Sequence, residues 1–446
     1  MTAQSVDSLP VAQRRHAAFH QHITNLVAFL LPALALCLPS GYAYGASLLV
    51  LFAVAASPAW LRCPAMPSGT GWLVFAIVAM GCVWVLGSDP AKGWSNMNKP
   101  GRYLMALPCL FYLLAYPPRV CALFAGVAVG AAGAGLRALY DVQVMGIERA
   151  WGYLDSPHNS IQYGNLSGLL GLMCWVLLFV QWGHWRSRTL LALGACGGLG
   201  LLGSLLSQTR GGWLALALCM VPLAWLVARR LSWRLALGGG ALLLAVVTSL
   251  VWYKAPELER RLAEARSEVS SYQTRGDAHS SVGQRLDHWQ LAWHMGMDRP
   301  LMGWGEAGYQ TEKLRRVEAG QAHPFVLQFG HAHNELLDQF VKRGLLGVAG
   351  LLLFYAIPLV LFWPSRSRVT GDAGRVNRGV LCLRLLGVLL PLAYIGFGLT
   401  QVFLAHYSGN MFYLFMSILV FGALQFNEVE PAGLVSESPA VPAQSP

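Results

Sequence analysis

The chain has 446 residues, 55% of them hydrophobic and 12% charged, with a formal charge of +11 and a mean hydropathy of +0.47. That balance excludes an ordinary water-soluble domain and points to a multispanning membrane protein. It also excludes nucleic acid as a partner, because that footprint needs Lys and Arg gathered on one soluble face, whereas here they sit in short loops between apolar runs.

A membrane-spanning helix needs roughly 17 to 25 apolar residues. Twelve segments qualify, at about 22–39, 42–60, 70–87, 103–117, 119–138, 161–182, 189–206, 212–228, 235–253, 344–363, 380–401 and 408–425. The expected fold is therefore all-α and polytopic. Segment 1–21 is polar, carries Arg14 and Arg15, and precedes a run without a convincing cleavage site, so that run reads as a retained span. With this segment in the cytoplasm, Arg62, Arg119, Arg186/Arg188, Arg229/Arg230/Arg234 and Arg366/Arg368/Arg375/Arg378 all fall on the inner side, as the positive-inside bias requires.

The expected organisation is spans one to nine over 22–253, an outer loop over 254–343, spans ten to twelve over 344–425, and a disordered cytoplasmic tail, 426–446, rich in Pro, Ser, Ala and Glu. The 9 cysteines have no metal-ligand spacing and lie almost wholly in apolar runs, so they read as buried free thiols.

Within the outer loop, "PELERRLAEARSEVSSYQ" is charged all round and suits a solvated helix. "GQRLDHWQLAWHMGMDRP" instead repeats Leu286, Trp289, Trp293 and Met297 at helical spacing, a stripe expected to lie at the membrane interface or to roof a cavity.

Three polar groups fall on the outer side. In "SQTRGGW", Arg210 is followed by two glycines at a helix start, where backbone amides and the positive dipole end favour an anion; an arginine there also runs against the charge bias. In "GQRLDHW", Arg285 and Trp289 share a helical face beside His288, which suits an amphipathic anion. In "HAHNELLDQFVKRGLLG", His331 and His333 precede Asn334, a candidate helix cap, with His323 upstream. Clustered imidazoles at a membrane entrance suit proton transfer. No H-E-x-x-H helix or paired thiolates argue for zinc, and no D-x-D or DD pair offers a divalent-cation seat, so no metal and no cofactor are expected. Lys92, Lys99, Arg102, Arg149, His158, Asn159 and Gln162 lie on or near outer loops as further cavity candidates, "SPHNSIQYGN" reading chiefly as a helix entrance.

Together, the twelve spans, the long outer loop, T-R-G-G-W, "GQRLDHW" and H-N-x-x-L…G-x-x-G resemble the O-antigen ligase family, which also includes O-antigen polymerases and protein O-oligosaccharyltransferases. The resemblance implies a GT-C-like glycosyltransferase of the Gram-negative inner membrane, acting at the periplasmic face in lipopolysaccharide biosynthesis. Its donor would be an undecaprenyl-pyrophosphate-linked glycan and its acceptor a sugar hydroxyl of lipid A-core, with surrounding membrane lipids. By that resemblance Arg210 and Arg285 would bind the donor pyrophosphate and His333 would be the base. His331, Asn334, His288 and Trp289 would support it, and transfer would be inverting and metal-independent. The family motif guarantees only the His directly before Asn, so His331 is a second candidate for the base. A transporter or flippase of lipid-linked saccharides is the rival of another class, but it would need ionisable groups at mid-membrane, and Arg137 and Arg384 lie near span ends.

Overall fold

The computed structural model describes residues 11–61, 66–153, 160–234, 281–371 and 374–429, with isolated positions 237, 238, 241, 263 and 267. Among these the chain is helical throughout, with a single isolated β-bridge between Thr370 and Val376. The main helices are α1 (Val11–Leu34), α2 (Gly41–Ala55), α3 (Thr70–Leu86), α4 (Asn98–Ala115), α5 (Val120–Leu139), α6 (Ser160–Gln181), α7 (Ser187–Leu206), α8 (Arg210–Arg230), α9 (Ser281–Asp298), α10 (Gly305–Glu318), α11 (Glu335–Phe362), α12 (Arg378–Gly398) and α13 (Tyr407–Val429).

Eleven of the twelve predicted segments coincide with one of these helices; the segment 235–253 and the stretch "PELERRLAEARSEVSSYQ" lie outside the described residues apart from isolated positions, as do residues 1–10 and the tail from 430. Seven helices among the described residues are long and apolar enough to cross a membrane: α6, α7, α8, α11, α12, α13, and α5 with its π-helical extension Tyr140–Val144. The apolar α2 and α3 are shorter.

Two populations of helix explain how these spans assemble. The apolar windows of α6, α12 and α13 are 83%, 89% and 89% buried, whereas those of α7 and α8 are 33% and 39% buried. The first three form the centre; the others ring them. The ring turns Leu51, Trp72, Leu104, Leu191, Val221 and Val360 outward, each more than half exposed. So large an apolar belt is untenable in water and is the expected surface toward lipid. Cys82 and Cys121 are exposed on it, a correction to the expectation that the thiols are buried. Small residues let central spans approach: Gly171 of α6 faces Gly197 and Gly200 of α7 at backbone contact distance. The chain is a polytopic, all-α membrane protein.

The helix of the "HAHNELLDQFVKRGLLG" motif begins earlier than its predicted span. Asn334 caps it, its side-chain oxygen accepting from the Leu337 amide at 3.1 Å. At Gly344 the backbone turns to φ 61° and ψ −156°, breaking α11 into a polar first part and an apolar second part. A β-carbon there would lie 2.3 Å from the Leu301 carbonyl carbon, so both the conformation and the close approach demand glycine. The Leu345 amide, freed by the break, donates to the Pro300 carbonyl at 2.7 Å and pins the end of α9 against α11.

Candidate active site

The polar first part of α11 is a buried ionic platform. Lys342 and Arg343 are 2% and 1% exposed. Lys342 pairs with Asp338 at 3.0 Å and with Glu306 at 3.3 Å; Arg343 pairs with Glu306 at 3.0 Å. Burial alone would raise the Glu306 carboxyl, but Lys342, Arg343 and Lys99 outweigh it and hold it down at about 2. The cations then reach the preceding loop. Lys342 donates to the Gly330 carbonyl at 2.9 Å, while Lys313 of α10 donates to the carbonyls of Val326 and Phe329 at 3.0 and 2.5 Å. Asp338 accepts from the Ala332 amide at 3.0 Å. A loop of irregular backbone is thus fixed by charge-assisted hydrogen bonds on both flanks.

What these bonds fix is His333. Its φ of 54° makes it one of three non-glycine residues with positive φ among the described residues. A conformation costing about 1–3 kcal/mol persists only where surroundings enforce it, and such outliers cluster at functional positions. The turn brings the His331 and His333 rings to 4.3 Å between centroids, with Phe329 4.7 Å and His288 6.1 Å from His333.

His323, grouped with these by sequence, does something else. Its Nδ1 accepts from the Phe325 amide at 3.3 Å and caps the short 3-10 helix Pro324–Gln328. His406, between α12 and α13, joins the cluster instead, 5.7 Å from His331. No sequence motif singled it out, although an imidazole between two apolar spans is itself a signal.

The four imidazoles are held neutral for different reasons. His288 is fully buried, shares a 3.1 Å hydrogen bond with Tyr309, and is driven down to about 3 by burial, Lys313 and its histidine neighbour. Burial also drives His331 far below its ordinary value, helped by His333 and His406, and its Nδ1 is buried without a hydrogen-bond partner. His406 is lowered to about 4 by burial and by Lys99. The His333 ring is half-buried and lowered less. Burial and the Arg285 charge push it down, and a hydrogen bond that its ring N–H donates to the Gln401 side chain, together with the Asp338 charge, pulls it back. Of the four, His333 alone combines partial exposure with a partner that favours its protonated form.

Gln401 belongs to the α12–α13 loop, and Glu335 fixes that loop. The Glu335 carboxylate, buried directly after the cap, accepts from the amides of Phe403 and Leu404 at 2.6 and 3.0 Å. Asn334 donates from its side-chain nitrogen to the Leu399 carbonyl at 3.2 Å. "NE" in the motif is therefore a clamp holding Gln401 against the histidine it follows.

The arginines arrive from two further elements. Arg285 on α9 is accessible to solvent at the mouth of the recess; burial first, then the neighbouring Arg210 charge, lowers its affinity for its proton, which puts the two guanidiniums within electrostatic reach. Arg285 in turn acts on His333. Arg210 is exposed and opens α8. The glycines after it serve packing more than ligand approach: a β-carbon on Gly211 would meet Thr400 Oγ1 at 2.3 Å, and one on Gly212 would meet Asn165 Oδ1 at 2.0 Å. That contact seats Arg210 beside the loop carrying Gln401.

The amphipathic stripe of α9 is distinct from the face that the helix buries. Its inner face is His288, Leu291, Ala292 and Met295, all buried, whereas Trp293 and Met297 are about half exposed. The predicted stripe is turned outward, with Trp293 against Phe340 at 5.6 Å. Trp289 is half-buried and its indole N–H has no hydrogen-bond partner among the described residues.

Of the further candidates, Lys92 and Lys99 line a cavity of about 310 Å³ with Trp84, Asn98, Arg343 and Tyr407. Arg102 stacks on Tyr407 at 4.1 Å. Arg149 donates to the Ser207 carbonyl at 3.2 Å, bracing the loop before α8, and Gln162 is buried in α6. His158 and Asn159 lie outside the described residues. Among the described residues no three His, Cys, Asp or Glu side chains converge as a metal site.

A polytopic membrane protein with clustered histidines and two converging arginines at one end of the bundle is the class that fold and site define. Residues 195–352, spanning the Arg210, Arg285 and His333 segments, match the family model described as O-antigen ligase. The chain is also 26% identical over 410 residues, 92% of its length and 99% of the relative's, to an uncharacterised protein of Haemophilus influenzae.

Proposed function

We propose that the protein is an O-antigen ligase: it moves a polysaccharide from undecaprenyl pyrophosphate to a sugar hydroxyl of lipid A-core at the periplasmic face of a Gram-negative inner membrane. The observation that carries this is the meeting of Arg210, Arg285 and His333, from three distant parts of the sequence, around the Gln401 loop. Two guanidiniums can fork onto a diphosphate and take up the charge that develops as it leaves.

A sugar hydroxyl is far too weak an acid to ionise beforehand, so the base must act during attack. Neutral His333 takes the acceptor proton while the oxygen bonds to the anomeric carbon. The bond from that carbon to the pyrophosphate oxygen breaks with its electron pair, and configuration inverts. Gln401 steadies the imidazolium formed in this step. Burial and Arg285 make His333 a weaker base than free histidine and favour its neutral form. Donor diphosphate beside Arg285 offsets that positive charge, so binding of the first substrate readies the base for the second. His331 is too deeply depressed to act as the base and serves to position His333.

The outer organisation follows the same reading: the motif end of the bundle faces the periplasm, and the arginine-rich end formed by Arg229, Arg230 and Arg366 faces the cytoplasm. The experiment is reconstitution of the purified chain with lipid-linked donor and lipid A-core, scoring the glycan-extended product. Substituting a second repeat unit or a Ser/Thr peptide as acceptor separates ligase from polymerase and from protein-glycosylating activity. Product with either of those, and none with lipid A-core, would overturn the assignment.

A further inference from the structure

The 310 Å³ cavity is not needed by anything derived above, yet it is built from charge. Its floor and walls include Lys92, Lys99 and Arg343 against one carboxylate, Glu306, which is already satisfied by Lys342 and Arg343. Lys99 has no carboxylate within ion-pair distance among the described residues; it lies over Trp84 at 4.5 Å, and Arg343 lies over the same ring at 4.1 Å. Beside it, the Arg102 guanidinium stacks on the lining Tyr407 and hydrogen-bonds Asn98 at 3.1 Å. Its Nη1 is buried with no hydrogen-bond partner among the described residues, a cationic donor without an acceptor there.

Cations held over aromatic rings beside such an orphaned donor are arranged for an anion that also presents a flat, ring-shaped body. The cavity is large enough for a substituted sugar. Such an excess of positive charge is also out of place for a structural role at this end of the bundle, where the inside bias predicts few cations.

Two observations say how the ligand arrives and what it meets. Trp94, in the 3-10 segment Pro90–Met97 that supplies Lys92 to the wall, is 91% exposed, and Met97 on the same segment is 40% exposed. An aromatic projecting at the lip of a cavity on a membrane protein marks the interfacial layer, so the ligand comes in from the leaflet. On the inner side, Lys99 acts on His406, His406 is 5.7 Å from His331, and His331 is 4.3 Å from His333. The cavity's Lys99 is thus linked to the imidazole cluster through His406.

We propose that this cavity, walled by Lys92, Lys99, Arg343, Trp84 and Tyr407 with Arg102 stacked on Tyr407 beside it, binds the negatively charged part of a lipid-borne acceptor saccharide, leaving its nucleophilic hydroxyl toward His333. The anion-binding site stands on the cavity itself; its assignment to the acceptor rests on the transfer reading above. The histidines then divide two cationic sites, one for each substrate, and the donor arginines need not serve both.

Binding tests this without turnover. Purified full-length His333→Ala protein is titrated with lipid A-core, with phosphatase-treated lipid A-core and with carboxyl-methylated lipid A-core. Loss of tenfold or more in affinity on one of the two treatments is expected and identifies the anion. In the same background Lys99→Gln, Lys92→Gln and their combination should each weaken binding of the intact acceptor and abolish the preference for it over the treated form. Lys99→Arg should restore the preference.

In the transfer assay with His333 intact, the same lysine variants should raise acceptor KM about tenfold while leaving donor KM unchanged. Equal binding of all three acceptors, a shift in donor KM instead, or equal competition by phosphatidylglycerol vesicles would each overturn the proposal. If wild-type protein bound the acceptor through Lys92 and Lys99 but transferred nothing to it, the anion site would stand and the ligase reading would fail.

Discussion

The two ends of the bundle are both rich in arginine and could hardly differ more in what surrounds it. At one end Arg229, Arg230 and Arg366 line a cavity of about 550 Å³ with Val369, Thr370 and Val376, and among the described residues no imidazole or carboxylate lines it. At the other, Arg285, within electrostatic reach of Arg210, acts on a half-buried histidine that a buried carboxylate, a capped helix and two buried lysines hold in a strained turn. Cavity size does not separate them, since the larger space lies at the end without a base. What separates them is the cost of construction. Arginines at a cytoplasmic helix end follow from membrane topology and dipole alone, whereas desolvated ions that position a neutral imidazole have no topological cause.

The comparison breaks first at His333. His333→Ala should cut transfer by about 10²–10⁴-fold, with donor binding and membrane insertion kept; unchanged turnover would move the base elsewhere. Next come the guanidiniums. Arg285→Ala or Arg210→Ala should each cost roughly ten- to hundredfold in kcat/KM for the lipid-linked donor, the worth of a charge-assisted hydrogen bond. Lysine should rescue only in part, because it cannot fork.

A smaller effect sharpens the electrostatics. Because His333 must be neutral and is lowered from its ordinary 6.5, kcat/KM should rise with pH along an acid limb displaced to lower pH than that of a free imidazole. Arg285→Gln removes a charge that lowers the imidazole, so it should move that acid limb upward; a limb that stays put would disconnect the two residues. The smallest effect is expected at the far end, where Arg230→Gln and Arg366→Gln should leave transfer within about twofold. A loss there comparable with that of Arg285→Ala would erase the distinction between the ends.

The parts of this fold that depend on runs of residues were legible beforehand. Apolar length predicted the spans, and the position of Arg62, Arg119, Arg186 and Arg229 at alternate loops gave one consistent direction. The Asn334 cap was also readable, because capping is local. Contacts between remote segments were not. Gln401 and His406 reach the histidines only through the Glu335 clamp, and no periodicity connects residue 335 with residues 403 and 404. Nothing in the sequence singles out Lys342 and Arg343, yet both are nearly inaccessible. The α9 stripe was legible as an outward face, but the buried face of His288, Leu291, Ala292 and Met295 was not, because its residues are mixed in polarity and size. His323 was grouped by proximity in sequence and excluded by its capping bond.

The most direct measurement is a single-turnover assay in proteoliposomes with radiolabelled undecaprenyl-pyrophosphate glycan and lipid A-core, comparing native protein with His333→Ala at matched donor occupancy. With His333 as the base, label should reach lipid A-core for the native chain alone. Label appearing at a similar rate with the alanine variant would contradict that role.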